Sequence, residues 1–157
     1  MGAGKSTIGK AVASHLGWPY FDNDFEMAQM NRVTLEDLGR LPVDELHEME
    51  ENYLRNVIAR PTPYIAGAAA SVVDNPDVVD LLKGVYAIYL TVPLSGLLAR
   101  AGAGGVGRQA LAEHPEEIIK QRFERRDPLY REAASLVIDQ SQSPEKSIKQ
   151  VIEALSQ

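Results

Sequence analysis

The stretch that most constrains this chain stands at its very start: Gly2-Ala3-Gly4-Lys5-Ser6-Thr7. It reads as the second half of a phosphate-binding P-loop, whose full pattern is G-x-x-x-x-G-K-[ST]. Glycines let the backbone turn tightly enough for its amides to point at phosphate oxygens. Lys5 then places a mobile ammonium on the outer phosphates, and Ser6 lends its hydroxyl to Mg²⁺. In the residues that follow, Ile8, Val12 and Leu16 share one face and Gly17 supplies a C-terminal stop. This predicts a helix that opens at the phosphates, with the positive end of its dipole toward them. The pattern's first glycine, and the apolar strand that feeds such a loop, would stand before Met1.

Beyond this helix, apolar runs and helical patterns alternate. Residues 18–21 suit a buried strand ending in Asp22-Asn23-Asp24, where open α/β sheets bind ligands. Asp22 is either a Mg²⁺ partner through water or a helix N-cap, and Asp24 either meets a substrate hydroxyl or is a first-turn acid. Thr34 opens a short helix. Residues 43–59 form a longer one with Leu46, Met49, Tyr53, Leu54 and Val57 on its apolar stripe. His47 and Glu50 are i, i+3 neighbours on it, and Glu51 and Arg55 are an i, i+4 pair.

Residues 64–66 read as a strand running into Gly67-Ala68-Ala69-Ala70, small residues that allow either close approach to a ligand or tight packing. Asn75 and Pro76 open a helix that Gly84 closes. Residues 85–92 are the clearest strand, and 93–100 a short helix. Four glycines within 101–108 suit a mobile flap, extending over about 101–114. Pro115 starts a helix carrying Lys120, Arg122, Arg125 and Arg126, either a positive site or a solvated face balanced by Glu116, Glu117 and Glu124. Asp127-Pro128 is expected to cap a separate helix over 129–135. A strand at 136–139 and a helix from Ser143-Pro144-Glu145, buried through Ile148, Val151, Ile152 and Leu155, complete the chain.

This order predicts an α/β fold, a parallel sheet with crossover helices in three layers, lacking its first, central strand. The 157 residues suit one domain. Without that strand its neighbours would lack partners, so the natural polypeptide is expected to extend upstream by about 5 to 10 residues. The net charge of -6 argues against nucleic-acid partners. Cysteine is absent, which removes disulfides and thiolate metal sites. With 45% apolar and 24% charged residues and no long apolar run, the expectation is a soluble cytoplasmic protein, a monomer without membrane partners.

The chain resembles the shikimate kinase family, within the nucleoside-monophosphate-kinase-like P-loop fold. The resemblance rests on residues 2–9, on Phe21-Asp22-Asn23-Asp24, and on the flap ending in Gly107-Arg108. It continues through Arg125-Arg126-Asp127-Pro128-Leu129-Tyr130 with Ala133, and the strand ending in Asp139. It implies ATP-dependent phosphorylation of a hydroxyl on a small ring acid, shikimate to shikimate 3-phosphate, with ATP and Mg²⁺ as cofactors. On that resemblance Gly2, Ala3, Gly4, Lys5, Ser6 and Thr7 cradle the nucleotide, Lys5 stabilises the transferring phosphoryl, and Ser6 with Asp22 holds the metal. Asp24 orients or deprotonates the acceptor hydroxyl, Arg108 closes over the phosphates, and Arg126 pairs with the substrate carboxylate. The loop ending in Pro144 corresponds to the adenine side.

The departures fall on the substrate side. Where the family has an arginine in Gly-Glu-x-x-Phe-Arg, this chain has His47, which offers one donor instead of a bidentate fork. Glu50 matches the family's neighbouring acid and favours a charged His47. The family's Gly-Gly-Gly is Gly67-Ala68-Ala69, whose methyl groups would crowd a ring or forbid a positive φ. After the flap arginine the family has proline, and here stands Gln109. Losing half of a carboxylate clamp costs about 2 to 4 kcal/mol of binding. Two other readings stand beside the first: a kinase for another polyhydroxy acid such as gluconate, and a non-catalytic nucleotide-binding module.

Overall fold

The computed structural model describes residues 4–104 and 115–157. Helix α1 (Lys5–Leu16) buries Ile8, Val12 and Ala13 and ends at Gly17, whose φ of 69° only glycine adopts without strain. Strand β1 (Tyr20–Phe21) leads into α2 (Asn23–Asn31), α3 (Leu35–Gly39) and α4 (Val43–Ile58). Strand β2 (Ile65–Ala66) is followed by a 3-10 turn (Ala70–Asp74) and α5 (Pro76–Lys83). Then come β3 (Ile88–Thr91), α6 (Leu94–Gly104), α7 (Pro115–Ala133), β4 (Leu136–Asp139) and α8 (Pro144–Leu155).

The strands pair in parallel, as crossover helices require. Among the described residues they form two separate pairs: β1 with β2, Tyr20 opposite Ile65, and β3 with β4, Ile88 opposite Leu136. Side chains alternate between two cores. Phe21, Tyr64 and Ala66 pack on a cluster of Met27, Tyr53, Leu54, Val57, Val72 and Val78 built by α2, α4, the 3-10 turn and α5. Ile65, Ile88, Leu90 and Leu136 pack on the opposite cluster, made by Ile8 and Val12 of α1, Ile138 and Val151. Helices thus cover both faces of the strands, the three-layer α/β arrangement. Among the described residues no helix is long and apolar enough to cross a membrane.

Local signals set most helix starts. Thr34 and Asp37 make a reciprocal capping box on α3. Asn75 caps α5 with Pro76 behind it, and Ser143 caps α8 with Pro144 behind it. Two expectations are corrected. Asp127-Pro128 does not cap a separate helix, because α7 runs unbroken through Pro128 to Ala133. The missing proline amide costs one ladder bond, but both sides of it are pinned. The Tyr89 hydroxyl donates to Asp127 at 2.8 Å, Arg131 Nε donates to the same carboxylate at 3.0 Å, and the Tyr130 hydroxyl donates to Ala70 O at 2.6 Å. Asp127 is therefore an acceptor for neighbouring side chains. The second correction concerns α6, which continues to Gly104, so the first residues assigned to a flap are helical. The remainder of that flap, 105–114, lies outside the described residues.

Candidate active site

The site gathers where α1 begins and where β1 and β2 end. Gly4 is the N-cap of α1 at φ 69°, a conformation that suits glycine, and having no side chain it leaves the first amides uncapped. Lys5, Ser6 and Thr7 occupy the first turn. Lys5 Nζ donates to Ala68 O at 2.6 Å, joining the start of α1 to the segment after β2. Ser6 Oγ donates to Asp22 Oδ1 at 3.3 Å. Gly2, Ala3 and Arg108 lie outside the described residues.

The two carboxylate oxygens of Asp22 face different partners. Oδ2 accepts from Phe25 N at 3.1 Å and caps α2, while Oδ1 faces Ser6. Asp24, in the first turn of α2, is exposed and accepts from Asn23 Nδ2 at 2.9 Å. The Tyr20 hydroxyl and Asn23 Oδ1 are buried without a well-formed hydrogen bond. Burial raises the Tyr20 pKa and the Asp22 charge adds to this, while Ser6 opposes it, so the phenol stays neutral. A hydroxyl, a carboxylate oxygen and orphaned oxygens close by form an all-oxygen donor set that fits a hard cation such as Mg²⁺. Among the described residues no three His, Asp or Glu side chains cluster as metal ligands. One carboxylate with a hydroxyl and phosphate oxygens suffices for Mg²⁺, so the fit stands.

The segment after β2 is held at three carbonyls. Gly67 O accepts from the Tyr53 hydroxyl at 2.8 Å, Ala68 O from Lys5, and Ala70 O from the Tyr130 hydroxyl. Ala68 and Ala69 are accommodated without strain, since Arg32 is the one non-glycine residue with positive φ among those described. A Cβ on Gly67 would stand 3.2 Å from the Tyr20 hydroxyl, a tight contact to which that hydroxyl would have to yield.

Beyond this segment lies a charged cluster. Glu50, 5% exposed, accepts from Ser71 Oγ at 3.2 Å. His47 is half-buried one turn earlier on α4. Arg126 Nε and Nη2 donate to the two oxygens of Asp74 at 3.0 and 2.8 Å. Burial works against the Asp74 charge, but the hydrogen bonds and charge of Arg126, with Arg125 and His47 behind them, outweigh it. The Asp74 carboxyl therefore ionises below its usual range. Pro144, the first residue of α8, sits apart on the helix that packs against α1, and the loop before it is braced by Gln142 Nε2 on Ser147 and Gln150.

Sequence reasoning missed Asp74, Tyr20, Ser71 and Tyr130 as parts of this site. Tyr53 was visible only as a core residue, since nothing local shows where its hydroxyl points. The arrangement has an amide-rich end beside Lys5, Ser6 and Asp22 and a charged end around Arg126 and Asp74, with residues 67–71 between them. It can hold an anionic nucleotide at one end and a small acid at the other.

Known proteins resemble this chain in sequence and fold. The shikimate kinase family model matches residues 1–156. The shikimate kinase of Psychrobacter sp. (strain PRwf-1) is 28% identical over 159 residues, covering 100% of this chain and 88% of that protein. That of Rhizobium meliloti (strain 1021) is 26% identical over 157 residues, covering 99% and 82%. Among solved structures, shikimate kinase from Acinetobacter baumannii in complex with shikimate superposes with a TM-score of 0.81 at 26% identity, covering 99% of this chain and 89% of that one. Shikimate kinase from Bacteroides thetaiotaomicron, at 24% identity and a TM-score of 0.81 over 100% and 94%, shares the fold. The chain belongs to the shikimate kinase family of ATP-dependent small-molecule kinases.

Proposed function

We propose that this chain transfers the γ-phosphoryl group of ATP to a hydroxyl of shikimate, giving shikimate 3-phosphate. The observation that carries the reading is the Ser6 to Asp22 contact of 3.3 Å at the start of α1, with the Arg126 cluster reached across one short segment. Phosphoryl transfer needs alignment and charge neutralisation more than covalent help. The uncapped amides of α1, with Gly2, Ala3, Gly4 and Thr7, cradle the phosphates. Lys5 leaves Ala68 O for the γ-phosphoryl and balances its charge as it moves. Asp24, exposed and at the mouth of β1, orients the acceptor hydroxyl and receives its proton. Arg108 closes over the phosphates. Glu50, His47, Gly67, Ala68 and Ala69 shape the acceptor pocket, and Arg126 takes the carboxylate. Mg²⁺, held by Ser6 and Asp22, would supply charge neutralisation between the phosphate groups. Pro144 borders the adenine.

The protein acts as one kinase unit, a cytoplasmic monomer. A specific observation keeps one other acceptor class in view: His47 stands where the family has a gripping arginine, a weaker carboxylate grip that points to a shifted acceptor, another polyhydroxy acid such as gluconate. Coupled ADP release with Mg-ATP and shikimate, quinate, gluconate or no acceptor tests the reading. Shikimate-dependent turnover is expected. Turnover with gluconate alone replaces the acceptor, and ATP binding without turnover on any acid removes the enzymatic reading of the site.

A further inference from the structure

Arg126 already grips a carboxylate. Its pair with Asp74 is bidentate and joins α7 to the end of the 3-10 turn, 52 residues away. Arg125 Nη2 lies 3.7 Å from the same Asp74 Oδ2. The Arg126 side chain is 12% exposed and that of Asp74 32%. A guanidinium has five N–H donors in a fixed plane. Asp74 takes one from Nε and one from Nη2, which fixes that plane from one edge. Tyr130, anchored on Ala70 O, flanks the guanidinium on α7. The Nη1 nitrogen is not used by Asp74, so donors remain for a second carboxylate. The charges around the group come from three elements: Arg125 and Arg126 on α7, Asp74 on the turn, and Glu50 with His47 on α4.

We propose that Asp74 is a positioning and specificity-determining residue: it fixes the Arg126 guanidinium so that its remaining donors meet the acceptor's carboxylate. This rests on the reading of Arg126 as the acceptor's carboxylate partner. Asp74 also cancels one of the two local guanidinium charges. Affinity then depends on the geometry of the grip and not on an excess of positive charge, which selects a placed carboxylate over any anion.

The test is calorimetric titration of shikimate and of its methyl ester into the wild type, Asp74→Asn and Asp74→Glu, each with Mg-ADP bound, together with a thermal melt. The wild type binds the acid more tightly than the ester. In Asp74→Asn the affinity for the acid falls about 10-fold or more while the ester changes little, so the preference collapses. Nucleotide affinity and melting temperature hold, and Asp74→Glu recovers part of the preference. Unchanged acid binding in Asp74→Asn overturns the inference. Tighter acid binding overturns it too, since Asp74 would then be a competitor for Arg126. Loss of acid and ester alike with a lowered melting temperature makes the pair a structural clasp only. Because binding is read without turnover, a wild type that phosphorylates no acid yet shows this Asp74-dependent preference defeats the proposed function and leaves the inference standing. A wild type that binds acid and ester equally defeats the inference whatever its turnover.

Discussion

The α-carbon of Gly9 lies so close to the ring of Tyr20 that a methyl group on it would stand 2.6 Å from Cε2. Gly9 is therefore the dent in α1 that lets β1 approach and brings the Tyr20 hydroxyl beside Ser6 and Asp22. Alanine normally gains about 1 kcal/mol over glycine inside a helix. Here the overlap with a half-buried ring outweighs that gain, and Gly9→Ala is expected to destabilise by about 1 to 3 kcal/mol. Chemical denaturation measures it, and Tyr20→Val in the same chain should return most of the loss. A stabilised Gly9→Ala would mean that the ring moves aside freely.

Asp24→Asn keeps the shape of the side chain and removes its ability to take a proton. The expected result is a fall in kcat of about 100-fold or more, with ATP affinity held within about twofold. Single-turnover kinetics and nucleotide titration separate the two quantities. Turnover at the wild-type rate removes Asp24 from the chemistry.

His47→Arg restores a fork on the face of α4 that carries buried Glu50. The KM for shikimate should fall by about 10-fold, equivalent to about 1.4 kcal/mol. A raised KM shows that the added guanidinium fills space the acceptor needs.

Two tyrosines give the fold an alkaline limit. Burial pushes the Tyr89 phenol up to about 12, reinforced by Asp127, and it pushes Tyr130 up to about 12 as well, with Tyr89 and Asp74 reinforcing it and Arg126 opposing. A phenol whose pKa is raised on folding favours the protonated native state. Its contribution is therefore complete below the unfolded value of about 10 and is lost as pH climbs from about 10 toward about 12. The denaturant midpoint should hold up to about pH 9 and decline steadily beyond about pH 10. The rings lie tilted against each other with centroids 4.7 Å apart, so Tyr89→Phe should soften that decline. A midpoint that does not move between those pH values contradicts the assignment.

What was legible in the sequence is what short-range chemistry decides. Thr34, Asn75-Pro76 and Ser143-Pro144 begin helices because their caps act within one turn, and the α1 motif carries its own geometry. Pro128 misleads for the same reason: locally it is a breaker, and contacts to Tyr89 and Ala70, both distant in sequence, help hold the helix through it. The Asp74 to Arg126 pair was invisible because its partners belong to different crossovers, and an aspartate before Asn-Pro reads as turn chemistry. In sequence, the positive run on α7 fits either a site or a solvated face. Arg126 points into the protein while Arg125 beside it stays exposed, a difference that helical phase relative to a distant turn decides.

Residues 67–70 are suspended from three helices at once, by Tyr53 of α4, Lys5 of α1 and Tyr130 of α7. Such a strip works as a common reference surface, against which parts far apart in the chain are gauged. Burial keeps the two phenols neutral through ordinary pH, so their hold does not rest on charge. The lysine is the one charged hand on the strip, and it is also the one an incoming phosphate attracts. Occupation of one end thus changes which hands hold the floor of the other.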